Sequence, residues 1–222
     1  MGYLPYYLFL FGISYALRYP WLAGLALAVY LLRDRLPDPV VYLRTSGRMR
    51  QLEADIAVNP ANVTARRDLA RLLLERRKPK KALALLDVAR ERHPDDAELL
   101  YLTGLARLAA GAPESALEAI GAAVEKEPGL AYGEPYLKAG DAHVALGHLD
   151  LAEEAYAEFT ERNRSMLEGL EKLANVRSAR GDREGAKRAR AEAKATYRHL
   201  PGYLRRKQVG WLLRVWLRSL FD

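Results

Sequence analysis

PKKALALLDVARERHPDD at 79–96 and PESALEAIGAAVEKEPGL at 113–130 share one pattern of residues and stand 34 residues apart. Each stretch begins with proline, carries small and bulky apolar residues at matching places, and has a second proline near its end. The matching pairs are Ala82 and Ala116, Leu86 and Ile120, Ala89 and Ala123, and Pro94 and Pro128. Self-similarity at a period of this length is typical of a solenoid, in which each repeat packs only on its neighbours.

The period continues on both sides of these stretches. Pro60 stands 34 residues before Pro94, and the small residues Ala152 and Ala186 extend the series towards the C terminus, with Ala152 two residues late. The pattern resembles the tetratricopeptide repeat. In this register a half repeat at 47–60 precedes four repeats at 63–96, 97–130, 133–166 and 167–200.

The resemblance implies an all-α fold, a right-handed superhelical solenoid of paired antiparallel helices. Alanine or glycine lets the paired backbones approach closely, and proline ends the second helix of a repeat because it cannot continue one. The third repeat departs from the pattern, with Phe159 at a small position and Arg164 where proline is expected, and the fourth repeat also lacks this proline. Four and a half repeats exceed the minimum of about three that a solenoid needs.

The composition divides the 222 residues into segments and excludes some functions. No cysteine is present, which excludes disulfides and thiolate metal sites. The formal net charge is +7, yet residues 51–200 carry 24 basic and 25 acidic residues, so the excess lies at the two ends. Nucleic-acid-binding proteins carry their basic patch on the folded body, which argues against that class of partner.

The segments are an apolar, membrane-associated helical segment at 1–35, a proline-containing linker at 36–46, the solenoid at 47–200 and a basic amphipathic helix at 201–222.

Residues 1–32 are almost continuously apolar, interrupted by Arg18 and Pro20. The uncharged runs are shorter than the roughly 20 residues of a comfortable membrane span, and an arginine at the centre of one long span costs roughly 2.5–3.5 kcal/mol. We therefore expect a membrane-embedded helical hairpin rather than a single transmembrane helix, with Tyr7 and Trp21 at the bilayer interface. A cleaved signal peptide is the alternative, but it needs a basic start and a small-residue cleavage site after the apolar run. Here the first arginine, Arg18, stands inside the run, and Ala26-Leu27-Ala28 leads into further apolar residues.

Arginines follow this apolar segment and predict its orientation. By the positive-inside rule the flanking sequence stays in the cytoplasm, so we expect the repeats at the cytoplasmic face of a bacterial inner membrane. The residues concerned are Arg33, Arg35, Arg44, Arg48 and Arg50. Leu36-Pro37-Asp38-Pro39 is expected to form a stiff connector between the anchor and the solenoid.

Residues 201–222 predict an amphipathic helix. Lys207, Arg214 and Arg218 are seven and four residues apart and fall on one narrow stripe, whereas Trp211 and Trp216 belong to the broad apolar remainder. A basic stripe beside a Trp- and Leu-rich face is typical of an interfacial helix attracted to anionic lipid, and we expect these five residues to contact the membrane. The alternative is a terminal helix that caps the solenoid with its apolar face buried; both roles are compatible.

The sequence gives little support to catalysis. The four histidines show no metal-ligand spacing, and no cysteine is available to join them. Neither a glycine-rich phosphate-binding loop nor a Gly-x-Ser-x-Gly elbow occurs. We therefore expect no catalytic, cofactor-binding or metal-binding residues, and we interpret the protein as not being an enzyme.

The resemblance implies a binding role. Tetratricopeptide domains hold peptides on a concave groove lined by the first helix of each repeat. Carried over by repeat position, the lining residues are Arg67, Arg71, Tyr101, Leu105, Lys138, Asp141, Glu171 and Asn175. This groove would be basic at its N-terminal end, apolar in the middle and mixed beyond, and Arg67 and Arg71, one turn apart, are spaced to hold a carboxylate. The alternative for each charged residue is a solvated face without a ligand.

These features predict a membrane-tethered scaffold that binds a protein or peptide partner in its groove on the cytoplasmic side and contacts anionic lipid. The alternative is a soluble, self-associating assembly protein whose apolar ends are buried in an oligomer. We expect no cofactor and no nucleic-acid partner. The sequence leaves the identity of the partner and the oligomeric state open.

Overall fold

The computed structural model describes residues 18, 19, 21 and 39–220. The chain divides into two compact units, 1–48 and 49–222. Within the described residues the regular elements are helices, and no strand occurs. In chain order they are α1 Pro39–Val58, α2 Val63–Glu75, α3 Pro79–Arg92, α4 Ala97–Ala109, α5 Pro113–Lys126, a 3-10 turn Leu130–Gly133, α6 Glu134–Ala145, α7 Leu149–Arg162, α8 Leu167–Ala179, α9 Arg183–His199 and α10 Gly202–Arg218.

The all-α repeat fold expected from the sequence is confirmed. Helices pair as α2 with α3, α4 with α5, α6 with α7 and α8 with α9, and each second helix packs on the first helix of the next pair. Small residues let the two helices of a pair approach each other closely. A Cβ added to Gly104 in α4 would lie 2.6 Å from Cγ1 of Ile120 in α5, so only glycine allows this approach. In the first repeat the equivalent residues, Ala70 and Leu86, are both fully buried in one cluster.

Helix α1 is longer than the predicted half repeat. It begins at Pro39, inside the segment predicted as a linker, so residues 39–46 are helical. Proline is accepted in the first turn of a helix, because its missing N–H has no intrahelical partner there, so Pro39 starts a helix instead of stiffening a connector. The helix ends at Val58, just before Pro60. Its C-terminal half packs Leu52 and Ile56 against the first repeat.

The turns between paired helices use left-handed residues. Gly111, Gly147 and Gly181 have φ of 84°, 78° and 88°, whereas the first repeat has Arg77 at the equivalent place with φ of 56°. Glycine adopts this conformation freely, but a residue with a Cβ is strained in it. Arg77 is therefore the one departure among the four equivalent turns.

A two-residue insertion separates the second repeat from the third. Ala131 and Tyr132 have φ of 47° and 54°, and Gly133 follows with φ of 84°, which makes a left-handed turn. Tyr132 is 83% exposed at its tip. This turn absorbs the two extra residues that displace Ala152 from the 34-residue period and lets α6 pack on α5.

Helix α10 packs on the last repeat. Gln208 and Val215 are buried, and Leu204, Trp211 and Leu212 contact a cluster that includes Leu167, Leu170, Ala193 and Leu200. The Gln208 side chain accepts from the Leu167 N–H and donates to the Ser165 carbonyl, both at 3.3 Å. One face of α10 therefore caps the solenoid, which was the alternative to membrane contact.

The hairpin predicted for residues 1–35 lies outside the described residues, except for Arg18, Tyr19 and Trp21, and so does Tyr7. These three described residues are exposed. Among the helices of the described part of the chain, none combines the length and apolarity required to cross a membrane.

Candidate functional site

The first helices of the four repeats form the surface that we call the groove face, made of α2, α4, α6 and α8. Helix α2 packs beside α4, and α4 beside α6. Each of these four helices carries two of the predicted groove residues: Arg67 and Arg71, Tyr101 and Leu105, Lys138 and Asp141, and Glu171 and Asn175. The structure places them in four different environments along this face.

Arg67 and Arg71 hold a carboxylate, and it belongs to the chain itself. Nη1 of Arg67 lies 2.7 Å from Oε2 of Glu98 on α4, and Nη2 of Arg71 pairs with Oε1 of the same side chain. Charge-assisted pairs of this kind are strong hydrogen bonds. At the N-terminal end of the groove face both arginines therefore share one carboxylate of the chain itself, and an acidic ligand would compete with Glu98 for them.

Glu98 belongs to a set that the sequence reasoning missed. Glutamate stands at the second position of the second, third and fourth repeats, at Glu98, Glu134 and Glu168. Glu98 reaches back to the arginines of the preceding repeat, and the charge of Glu134 raises the pKa of Tyr101 in the preceding repeat. The repetition of glutamate at one repeat position was the signal available in the sequence.

A cleft occupies the middle of the groove face, between α2, α4 and the start of α6. Its volume is about 370 Å³. Leu74, Leu102, Leu105 and Leu130 line it, with Arg71, Glu98 and Glu134 also contributing. Tyr101 forms part of the wall and is buried. Burial first, and then the Glu134 carboxylate, raise the pKa of Tyr101 far above its usual range, so its phenol stays neutral.

Asp141 is the centre of a polar network in the third repeat. It accepts from the Tyr156 hydroxyl at 2.8 Å and from Nζ of Lys172 at 2.7 and 2.9 Å. Nζ of Lys138 lies 3.7 Å away, and Lys172 also pairs with Glu168 at 2.9 Å. Burial and the Asp141 carboxylate raise the pKa of Tyr156. This part of the groove face is polar but internally satisfied.

The C-terminal end of the groove face is closed by α10. Glu171 is only 1% exposed. It accepts from Nδ2 of Asn175 at 3.2 Å, and Nε of Arg218 on α10 lies 3.3 Å from the same oxygen. Burial raises the pKa of Glu171, although the hydrogen bond from Asn175 and the charge of Arg218 oppose the shift. Glu171 is therefore a buried structural carboxylate rather than a groove-lining one.

Arg190 completes this cluster and was also missed from the sequence. Its Nη2 donates to Oδ1 of Asn175 at 3.3 Å, and the residue is buried. Arg190 occupies the repeat position that holds a bulky uncharged side chain in the first three repeats, at Leu86, Ile120 and Tyr156. A charged residue at a core position of the pattern was the signal that a carboxylate lies nearby.

The residues of α10 predicted to contact lipid do not share one face. Trp211 packs on the solenoid, and Cζ of Arg214 lies 4.4 Å from its ring centroid. Arg218 turns towards Glu171, and Lys207 is exposed. Trp216 is 53% exposed on a different side of the helix. Helical periodicity places Trp216 opposite the predicted basic stripe, and the packing of α10 on the last repeat fixes which of these sides faces the solenoid.

Metal-binding groups are not found in the part of the chain that the structure describes. The rings of His143 and His148 have centroids 6.1 Å apart at the end of α6. Burial, and secondarily the neighbouring His148, lower the pKa of His143. These two histidines lie where α6 ends and α7 begins.

Comparison with known proteins supports the fold. The tetratricopeptide repeat family matches residues 67–131, and no curated protein matches the chain in sequence. The structure is similar to that of MamA from Desulfovibrio magneticus RS-1, with a TM-score of 0.63 at 16% identity over 77% of this chain and 95% of that one.

Two further solved structures show the same likeness. TTC0263, a thermophilic TPR protein of Thermus thermophilus, gives a TM-score of 0.58 at 23% identity over 78% of this chain and 95% of that one. YrrB, a TPR protein with an unusual peptide-binding site, gives 0.57 at 17% identity over 79% of this chain and 85% of that one. At these identities the likeness shows the fold.

Proposed function

The chain carries tetratricopeptide repeats, and on that premise we propose that it is a scaffold whose groove face binds a segment of another protein. The observation that carries the proposal is the cleft around Tyr101. Its leucines provide an apolar floor open to a ligand, and Arg71, Glu98 and Glu134 offer polar groups at the same place. Concave sites of this composition, mainly apolar with a few placed polar groups, are typical binding sites.

The charges along the groove face indicate what kind of segment binds. Arg67, Arg71 and Asp141 are already paired with groups of the chain, and a ligand that competed for them would have to break those pairs. Burial of an apolar side chain against the cleft leucines gains about 25 cal/mol per Å² without that cost. We therefore propose an apolar anchor residue as the main contact, with polar backbone contacts around it. The description of YrrB supports a peptide as the class of partner.

Site-specific photo-crosslinking tests this proposal. A photoreactive amino acid at Leu105 in the full chain, expressed in its native cells, should yield a defined cross-linked protein. The same amino acid at Val88, on the second helix α3 and 36% exposed, is the matched control and should yield none. Equal products from both positions, or none from Leu105 under conditions where the chain is abundant, would contradict binding at the groove face.

We further propose that residues 1–35 hold this scaffold at a bacterial inner membrane, with the repeats in the cytoplasm. The near-continuous apolar sequence of 1–32 and the arginines that follow it support this placement.

Since the chain has no cysteine, a single Tyr132→Cys substitution at the exposed turn provides a clean topology probe. A membrane-impermeant maleimide should label it only after the cells are permeabilised. Labelling in intact spheroplasts would place the repeats outside. Deletion of 1–35 together with 201–222 should abolish membrane association.

A further inference from the structure

Helix α10 has a second apolar face besides the one that caps the solenoid. Val209, Leu213 and Trp216 are four and three residues apart, which places them on one stripe along the helix, and Leu220 follows in the turn after its end. All four are more than half exposed. Leu217, 43% exposed, lies beside them. We call this stripe the outer face of α10.

Basic side chains surround the outer face. Lys194 and Arg198 of α9 join Val209, Leu212, Leu213 and Trp216 in lining an apolar groove of about 490 Å³. Lys194 donates to the Ser219 hydroxyl at 2.9 Å, which holds its ammonium group beside the groove. In projection down the helix axis, the exposed Arg205 and Arg206 fall on either side of the stripe. Helix α10 itself, Gly202–Arg218, contains no acidic residue.

The charge around the outer face decides between possible occupants. A second copy docked through the same stripe would bring the cations around one stripe against the cations around the other, and like charges in contact oppose association. An anionic lipid surface instead offers phosphates to all four cations and an acyl boundary to the apolar stripe. Trp216 lies in the stripe, and tryptophan prefers the interface between headgroups and acyl chains.

We propose that the outer face of α10 lies on an anionic membrane surface, with Val209, Leu213 and Trp216 at the acyl boundary and Lys194, Arg198, Arg205 and Arg206 at the lipid phosphates. This inference rests on the membrane placement proposed above and is independent of the groove face. It also replaces the set expected from the sequence: Lys207, Arg214 and Arg218 lie on another side of α10, where Arg218 meets Glu171.

The absence of cysteine allows a local test in the full chain. Leu213→Cys, at a position 52% exposed, is labelled with an environment-sensitive dye, and Leu151→Cys on α7, at a position 45% exposed, is the control. Vesicles contain phosphatidylcholine alone or phosphatidylcholine mixed with phosphatidylglycerol, each with a brominated lipid as quencher. The expected result is quenching at position 213 only, and only with phosphatidylglycerol, whether or not residues 1–35 insert.

Charge substitutions identify the cations that contribute. At a fixed phosphatidylglycerol content, Arg205→Gln or Arg206→Gln should each lower the ratio of quenched to unquenched dye about fivefold, the effect of one cation at an anionic surface. Lys207→Gln, on the same helix but another side, should change it little.

Three outcomes would overturn the proposal. Quenching at neither position means that the face does not reach the bilayer, and equal quenching at both means that the chain lies on lipid without using this face. Dye protection that appears without vesicles and grows with protein concentration means that a second copy covers it. Each outcome leaves the maleimide result at position 132 and the cross-linking result at Leu105 unaffected, so failure here is distinguishable from failure of the membrane placement and of the groove proposal.

Discussion

Replacing Gly140 by alanine should destabilise the solenoid, although alanine is the better helix former. A Cβ at Gly140 would lie 2.4 Å from Cε1 and 2.5 Å from Cδ1 of Tyr156. The ring has little room to retreat, because Tyr156 is buried and its hydroxyl donates to Asp141 at 2.8 Å. Asp141 is fixed in turn by Lys172. The clash therefore involves a side chain held at both ends.

Two opposing effects determine the magnitude. Overpacking of a well-packed core costs typically about 1–3 kcal/mol, and exchanging glycine for alanine inside a helix returns about 1 kcal/mol. We expect the free energy of unfolding to fall by about 0–2 kcal/mol, the difference between the two effects. The matched control is Gly121→Ala in α5, where an added Cβ meets no heavy atom within 4 Å. There only the helix propensity acts, and we expect a gain of about 0.5–1 kcal/mol.

Urea denaturation followed by far-ultraviolet circular dichroism measures both changes. A second variant, Gly140→Ala with Tyr156→Leu, reproduces the combination of Ala70 and Leu86 in the first repeat and should recover part of the loss. The reasoning is refuted if Gly140→Ala is as stable as Gly121→Ala. It is also refuted if the double variant loses more free energy of unfolding than the two single variants lose together. The clash would then not be the cause of the loss.

Three further predictions follow from the structure. Arg77→Gly should raise the free energy of unfolding by about 1 kcal/mol, because it removes a left-handed arginine where three other repeats have glycine; Gly111→Arg should lower it, and thermal melts compare the two. The raised pKa of Glu171 contributes stability that is fully present below its ordinary value of about 4.5 and is lost as the pH rises through the raised value. Denaturation across pH should therefore show stability falling less steeply with rising pH in Glu171→Gln than in the unchanged protein, and parallel curves would contradict this. Trp211→Ala should cost about 2 kcal/mol because Trp211 packs on the last repeat, whereas Trp216→Ala should stay within about 0.5 kcal/mol; equal losses would mean that the two faces of α10 are wrongly assigned.

The helical scaffold was predictable because it depends on residues that repeat. Helix pairs begin at Val63, Ala97, Glu134 and Leu167, where the 34-residue pattern with its two-residue insertion places the repeats. Small residues facing bulky ones specify these pairs locally. The start of α1 at Pro39 was missed, because proline in the first turn of a helix and proline in a rigid connector look the same in sequence.

The candidate site was predictable as a face but not as a set of interactions. Repeat positions assigned Arg67, Arg71 and Asp141 to the groove face, yet they gave no sign that these residues would pair with Glu98 and Lys172 on the next repeats. Such pairs depend on the distance between adjacent helices, which one sequence does not contain. The rotation of α10 has the same origin, because its packing on Leu167 and Leu170 decides which apolar stripe stays exposed.

The left-handed turn at 131–133 has a consequence for how the array unfolds. In repeat proteins folding propagates through the interfaces between neighbours. Ala131 and Tyr132 each carry a conformational penalty of roughly 1–2 kcal/mol, so strain is concentrated at the junction of α5 and α6. The array should therefore separate there into two cooperative blocks, with amide protection on either side of the junction lost at different denaturant concentrations.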